Sequence, residues 1–300
     1  MSRIVAFASL KGGVGKTTLA ILQARKWAAE GRPVVYVDLD LTGSSVADGL
    51  LLRAPSLPER DGRLDLAAPA NDLLSRDETV NRRLERRLLR RDAPGRCVPY
   101  LNDLLVFSDE LGSGLVPVWR AEPDDGVGYL PSSPIRDDVA YVTGALHHHE
   151  VHPEWEVALG RLFLNLLAHK VDFVVDCSTG TFGFVQRMFW VLQRLDQGQH
   201  LWDGGQVWTG PRPDIRSELV TTLDRNALWP SIESWVHLNS RVPKVRVRIN
   251  RLEGTIEGAL AEVKAWEGRI GLGPGTIKPL FEREEPRNRF FSLSRMGGLG

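Results

Sequence analysis

The chain has 300 residues, 42% of them hydrophobic and 25% charged, enough to bury the core of one large α/β domain or of one domain carrying an insertion. Its 38 Lys and Arg balance its 38 Asp and Glu, which excludes an overall field that draws the molecule to nucleic acid or anionic lipid and leaves only local attraction. Two cysteines, Cys97 and Cys177, exclude a disulfide framework or a zinc-ribbon spacing, and both read as free thiols in a reducing cytoplasm.

In chain order, the short apolar segment from Ile4 to Ser9 reads as a buried parallel strand that delivers the chain into a glycine loop. It begins so early that no signal peptide is expected ahead of it, and no segment approaches membrane-spanning length. Thr17 to Glu30 reads as a helix with Gly31 placed to end it. Val34 to Val37 is a β-branched and aromatic run stopping at Asp38, which completes a right-handed strand-helix-strand unit. From about Arg53 to Asp125 the rhythm breaks into a stretch rich in Pro, Asp and Arg, read as an insertion after the second strand. Within it Val80, Leu84 and Leu88 recur every four residues, flanked by two basic rows, Arg82/Arg86/Arg90 and Arg83/Arg87/Arg91. Beyond it the pattern predicts strands at Val171 to Val175, ending in Asp176, at Gln206 to Thr209 and at Val245 to Ile249. Helices are predicted at Glu154 to Ala168, Phe184 to Leu195, Asp214 to Asn226 and Ile256 to Trp266. The expected architecture is a doubly wound, mostly parallel sheet flanked by helices, one domain over residues 1–300 with an insertion of unassigned fold at 53–125.

Chemistry concentrates in Lys11-Gly12-Gly13-Val14-Gly15-Lys16-Thr17-Thr18, lying between a strand and a helix. Such a P-loop wraps backbone N–H groups around phosphate oxygens, and the following helix N-terminus adds favourable partial charge. Lys16 is then the group that neutralises the β and γ phosphates, and the Thr17 hydroxyl is a ligand of Mg²⁺. Leu10 stands where the usual consensus has its first glycine, and a second lysine, Lys11, opens the loop.

Through that run the sequence resembles the ParA/MinD family of deviant Walker-A ATPases. The resemblance implies that Lys11 reaches across an ATP-dependent homodimer to the phosphates of the other subunit. It extends to Asp38-Leu39-Asp40, implying that Asp40 orients the attacking water and Asp38 supports the magnesium shell. Asp176-Cys177-Ser178-Thr179-Gly180 matches the family's Asp-x-Pro-x-Gly with Ser178 in place of proline. There Asp176 is implied to hold a magnesium-bound water and the Gly180 N–H to sense the γ-phosphate. Thr209-Gly210-Pro211 before the Asp214 segment resembles the family's loop after its next strand, and Ile249-Asn250-Arg251 its adenine-contacting pair. The likeness covers roughly residues 1 to 50 and 127 to 285 and leaves the insertion aside.

Independently of any family, two lysines, a metal ion and a water-orienting carboxylate suffice for phosphoryl transfer without a covalent nucleophile. Cys177 directly follows the switch aspartate and Cys97 lies in the insertion, so an iron-sulfur dimer bridge is set aside in favour of buried thiols. His147 to His149 with His152 reads as a solvated run rather than a metal site. The arginine rows fit either a solvated face or a contact surface for DNA phosphates, an acidic lipid surface or a protein partner. Lys244, Arg246, Arg248 and Asn250 alternate with apolar residues, which suits a strand near an edge or beside a polar site. The Phe290 to Met296 stretch reads as a packed terminal segment, so membrane association is not expected. The expected function is a cytoplasmic Mg-ATPase whose nucleotide-sandwich dimer switches association with a partner surface, whether DNA, a protein assembly or a membrane, for positioning or partitioning. The alternative is a nucleotide-gated chaperone resembling the arsenite-pump and tail-anchored-protein ATPases, with the insertion as client surface.

Overall fold

The computed structural model describes residues 1–41, 46–53, 59–60, 63–64, 100–106, 118–133, 153–180, 183–222, 224–238, 244–250 and 277–279, with four further single residues at 261, 264, 265 and 268. Strand β1 (Arg3–Ser9) enters the glycine loop, α1 (Lys16–Ala29) follows, and β2 (Val34–Leu39) returns. A four-residue helix α2 (Val46–Gly49) precedes β3 (Leu52–Arg53) and the small hairpin of β4 (Glu59–Arg60) with β5 (Arg63–Leu64). Next come α3 (Leu101–Val106), β6 (Trp119–Ala121) and β7 (Val127–Leu130). The rest of the sheet and its cover are α4 (Pro153–Ala168), β8 (Asp172–Thr179), α5 (Phe184–Gln197), β9 (Asp214–Thr221), α6 (Arg225–Leu238), β10 (Val245–Ile249) and β11 (Ile277–Pro279).

Among the described residues the main sheet runs β11-β10-β9-β1-β8-β2-β7-β6-β3. Every neighbouring pair from β11 to β7 is parallel, and β6 and β3 extend that edge antiparallel. All of β2 and nearly all of β1 are buried on both faces, which is why both read as continuous apolar runs rather than alternating ones. On one face Val5, Phe7, Tyr36 and Val174 pack beneath Leu19, Ala20 and Ala24 of α1. On the other Ala6, Val37 and Val175 pack beneath α3, α4 and α5 through Leu101, Leu159, Phe163, Val185 and Leu192. The chain order places β8 between β1 and β2, so the loops after these strands open side by side at one end of the sheet.

Several expected elements differ. The segment from Asp214, expected as a helix to Asn226, is β9, and the helix begins only at Arg225. Its Arg and Glu residues give it helical composition, but pairing on both sides, with β1 and β10, decides in favour of the strand. The expected strand over Gln206 to Thr209 reduces to one antiparallel bridge, His200 with Val207, before Pro211. The Thr209-Gly210-Pro211 loop therefore precedes a strand instead of following one. The ends of the 53–125 region, with Leu52 just before it, do not leave the sheet: Leu52–Arg53 and Trp119–Ala121 pair with each other as its outer strands. Strand β7, pairing directly with β2, lacked a prediction of its own. Of the helix expected over 256–266, Ala261, Lys264 and Ala265 fall among the described residues, and all three are helical. The arginine rows at Arg82, Arg83, Arg86, Arg87, Arg90 and Arg91 lie outside the described residues, as do Cys97, His147 to His149, His152, Arg251 and the Phe290 to Met296 stretch.

Candidate nucleotide site

The loop between β1 and α1 turns on Gly13 and Gly15, both left-handed at φ 74° and 85°. Gly15 caps α1 with no side-chain cap bond, so the first-turn N–H groups of Lys16, Thr17 and Thr18 remain for an incoming anion. The loop is braced from β10: the Asn250 side-chain amide donates to the Val14 carbonyl at 2.8 Å, while its own backbone N–H donates to Thr221 at 2.7 Å. A Cβ on Gly15 would collide with that amide and displace the brace, and the positive φ favours glycine there independently. Asn250, expected at adenine, is thus in contact with the loop itself.

Lys16 is the first residue of α1 and is almost fully buried, its Nζ ion-paired to Oδ1 of the wholly buried Asp176. Burial alone would lower the Lys16 ammonium, but Asp176 outweighs it and holds the lysine above its ordinary value. The other oxygen of Asp176 accepts a 2.7 Å hydrogen bond from the Tyr36 hydroxyl. Burial, together with Asp176 and Asp38, pushes that phenol well above its usual range, so it stays a donor.

Asp38 and Asp176 are direct register partners on β2 and β8. Burial and the neighbouring Asp176 push the Asp38 carboxyl up to about 7, against the opposing bonds it accepts from Ser132 and Val46. Those bonds reach its Oδ2 from the Ser132 hydroxyl at 2.8 Å and from the Ser132 and Val46 N–H groups at 3.3 Å each. Asp40 is half-buried; its N–H donates to Asp38 Oδ1 at 3.2 Å, and its charge acts on Lys16. Thr17 is half-buried in the first turn of α1. The Gly180 N–H, expected at the γ-phosphate, donates to the Ser9 carbonyl at 2.7 Å. Cys177 is buried on the opposite face of the sheet, its thiol pushed up by burial.

Lys11 stands apart from this buried group. Its Nζ lies 2.6 Å from the Asp224 carboxylate at the start of α6, and both side chains are about half exposed, at 52% and 45%. The structure thus gathers Lys16, Asp38, Asp176 and the loop at one point, with Lys11 at its rim. Tyr36, Ser132 and Asp224 were not foreseen. Tyr36 had a signal: it sits two residues before Asp38, on the same strand face, as a polar tip in an otherwise aliphatic run.

The oxygen donors offered here, Thr17 hydroxyl and the Asp38 and Asp176 carboxylates, suit a hard cation. Among the described residues no group of three or more His, Cys, Asp and Glu converges to cage a metal by itself. Magnesium, which takes one or two carboxylates and completes its shell with phosphate oxygens and water, fits that set. A positive ion would also offset the burial and the neighbouring Asp176 charge that together raise Asp38.

Fold and loop together define a P-loop nucleotide-binding protein. More narrowly, the chain belongs to the CobQ/CobB/MinD/ParA nucleotide binding domain family, whose model matches residues 5–279. Among solved structures it is similar to apo McdA of Cyanthece, at 14% identity over 99% of this chain and 91% of that one, TM-score 0.51. It is also similar to the cell division ATPase MinD of Pyrococcus furiosus, at 17% identity over 99% of each chain, TM-score 0.49. A third is cobyrinic acid a,c-diamide synthase of Mycobacterium smegmatis with bound ATP analog and magnesium, at 18% identity over 88% and 82%, TM-score 0.48. At 14% identity the likeness to McdA bears on the fold alone. No curated protein sequence matches the chain at a significant level. Among the described residues no helix is long and apolar enough to cross a membrane.

Proposed function

We propose that the chain is a cytoplasmic ATPase that binds Mg-ATP, pairs with a second copy across the nucleotide and uses hydrolysis to release a partner. The observation that carries this reading is the division of labour between the loop's two lysines, one buried on Asp176 and one exposed at the rim. A triphosphate seated over α1 takes Lys16 to its β and γ oxygens, accepts the N–H groups of residues 15 to 18, and frees Asp176 to face the metal site. Magnesium, when bound, would supply charge compensation for the phosphate oxygens. Asp38 and Thr17 would hold it, through oxygen ligands or hydrogen bonds to its water shell. Asp40 holds the attacking water in line, and Gly180 exchanges Ser9 for a γ-phosphate oxygen. Asn250 keeps the loop in shape and Arg251 lies beside it in sequence, where both can line the base.

Lys11 completes the pocket of the other subunit once it leaves Asp224, so turnover depends on dimerisation and the nucleotide times the assembled state. The partner surface assigned to Arg82, Arg83, Arg86, Arg87, Arg90 and Arg91 is DNA or a protein assembly; membrane association is not part of this reading. No specific observation favours the chaperone alternative, whose client groove would be built from residues 53–125.

The test is Asp40→Ala with Lys11→Ala in size-exclusion chromatography and turnover assays. Asp40→Ala should bind ATP and accumulate as a dimer, while Lys11→Ala should bind ATP and lose dimer-dependent turnover. A monomeric Asp40→Ala protein at saturating Mg-ATP, or full turnover by Lys11→Ala, refutes the dimer mechanism.

A further inference from the structure

Tyr36 lies in the middle of β2, fully buried, on the strand face that also carries Asp38. It is one of the largest side chains in the core, and its hydroxyl is spent on a single acceptor, Oδ2 of Asp176 at 2.7 Å. The other oxygen of that carboxylate is held by Lys16. The ring beside it, Tyr129, stands with its centroid 5.6 Å away and directs its own hydroxyl elsewhere, to Asp125 at 2.7 Å, itself paired with Arg25 at 2.6 Å. The two tyrosines therefore share packing but not function: only one reaches the nucleotide site.

This arrangement matters because Lys16 has two claims on it. Bound phosphates draw its ammonium away from Asp176, and a carboxylate with no exposure is costly to leave without a partner. The last torsion of a carboxylate is broad and two-fold, its two oxygens being equivalent, so once Lys16 leaves one oxygen the tilt of the Asp176 plane is set by what holds the other. We infer that the Tyr36 hydroxyl is a positioning group that pins Oδ2 of Asp176, so that Oδ1 faces the metal water when Lys16 departs. The inference rests on the Mg-nucleotide reading of the site and adds to it a residue that touches neither nucleotide nor metal. It also accounts for a tyrosine where β2 otherwise needs only an apolar residue: Phe fills the same volume, so the oxygen is there for Asp176.

The test is Tyr36→Phe, compared with Tyr129→Phe, in a titration of Mg²⁺ against ADP affinity followed by calorimetry. In Tyr36→Phe the Mg²⁺ concentration for half-maximal tightening should rise about tenfold, the scale set by losing one hydrogen bond to a charged group. ADP affinity in excess chelator should stay within about twofold of the parent, since Lys16 and the loop are untouched. Tyr129→Phe should leave the Mg²⁺ midpoint where it is. An unchanged midpoint in Tyr36→Phe, an equal shift in Tyr129→Phe, or a Tyr36→Phe chain that fails to fold while Tyr129→Phe folds would each overturn the positioning role. A parent protein whose ADP affinity ignores Mg²⁺ would instead overturn the reading beneath it, and that is seen before either variant is made.

Discussion

Lys11 and Lys16 belong to one loop, five residues apart, and each is paired with an aspartate distant in sequence, yet the two pairs are physically unlike. Lys16 and Asp176 are 6% and 0% exposed, so neither can trade its partner for water without a large desolvation change. Lys11 and Asp224 are 52% and 45% exposed, and water and salt compete with that contact at every moment. The buried pair is therefore part of the fold and yields only to something as charged as a phosphate. The exposed pair is a resting place. One loop thus carries a fixed electrostatic anchor and a lysine that is free to act elsewhere, and the difference is set by where the partner aspartate sits: mid-strand on β8, or at the open start of α6.

The sharpest way to break the comparison is Lys16→Ala. It leaves Asp176 and Asp38 facing each other without a cation, and should lower unfolding free energy by about 3 kcal/mol in urea titrations while abolishing nucleotide binding by calorimetry. Asp38→Asn probes the same buried charge through pH. Asp38 has a folded value raised to about 7, so the native state favours its protonated form. The stability it contributes is complete below the ordinary carboxylate range and is lost as pH rises through about 7. The amide that replaces the carboxyl cannot ionise, so the variant should gain on the parent by about 2 kcal/mol between roughly pH 5 and pH 8, read from parallel denaturation curves. Asn250→Ala removes the brace on the Val14 carbonyl and should cost about 1 kcal/mol of stability, with a weaker nucleotide affinity in the same calorimetric assay.

The anchor half of this comparison was legible in the sequence and the resting half was not. The glycine loop, α1 and the carboxylates Asp38 and Asp176 follow from local signals: a run of eight residues with one backbone solution, and buried apolar runs that lead into an acid, although β8 continues past Asp176 to Thr179. Asp224 follows from β9, and β9 has no local signature. Asp214 to Thr221 carries Arg, Ser and Glu among its apolar residues, and only its neighbours β1 and β10 make it a strand. Taken as a helix, it hid the strand end where Lys11 finds its partner. The sheet's far edge was hidden for the same reason, since Leu52–Arg53 and Trp119–Ala121 are too short to show a period and owe their strand form to pairing across nearly seventy residues of chain. Tyr36 and Ser132 illustrate a third kind of gap: both act on carboxylates through hydrogen bonds that depend on which strands lie side by side.

The smallest expected effect is at the exposed pair, and it discriminates most finely. Asp224→Ala should leave the unfolding midpoint indistinguishable from the parent, because a carboxylate in water loses little when its partner is also in water. The lysine, however, no longer has an intramolecular competitor. If Lys11 must leave Asp224 to reach the other subunit, removing the carboxylate favours the assembled state, and the ATP-dependent dimer should form at lower protein concentration in analytical ultracentrifugation. Salt supplies the control. Raising ionic strength weakens the exposed Lys11–Asp224 contact in the parent and has nothing to weaken there in the variant, so the gap between the two dimerisation curves should narrow as salt is added. A variant that dimerises less readily than the parent would mean that Asp224 serves the assembled state directly, and that its 2.6 Å contact with Lys11 does not hold the lysine back.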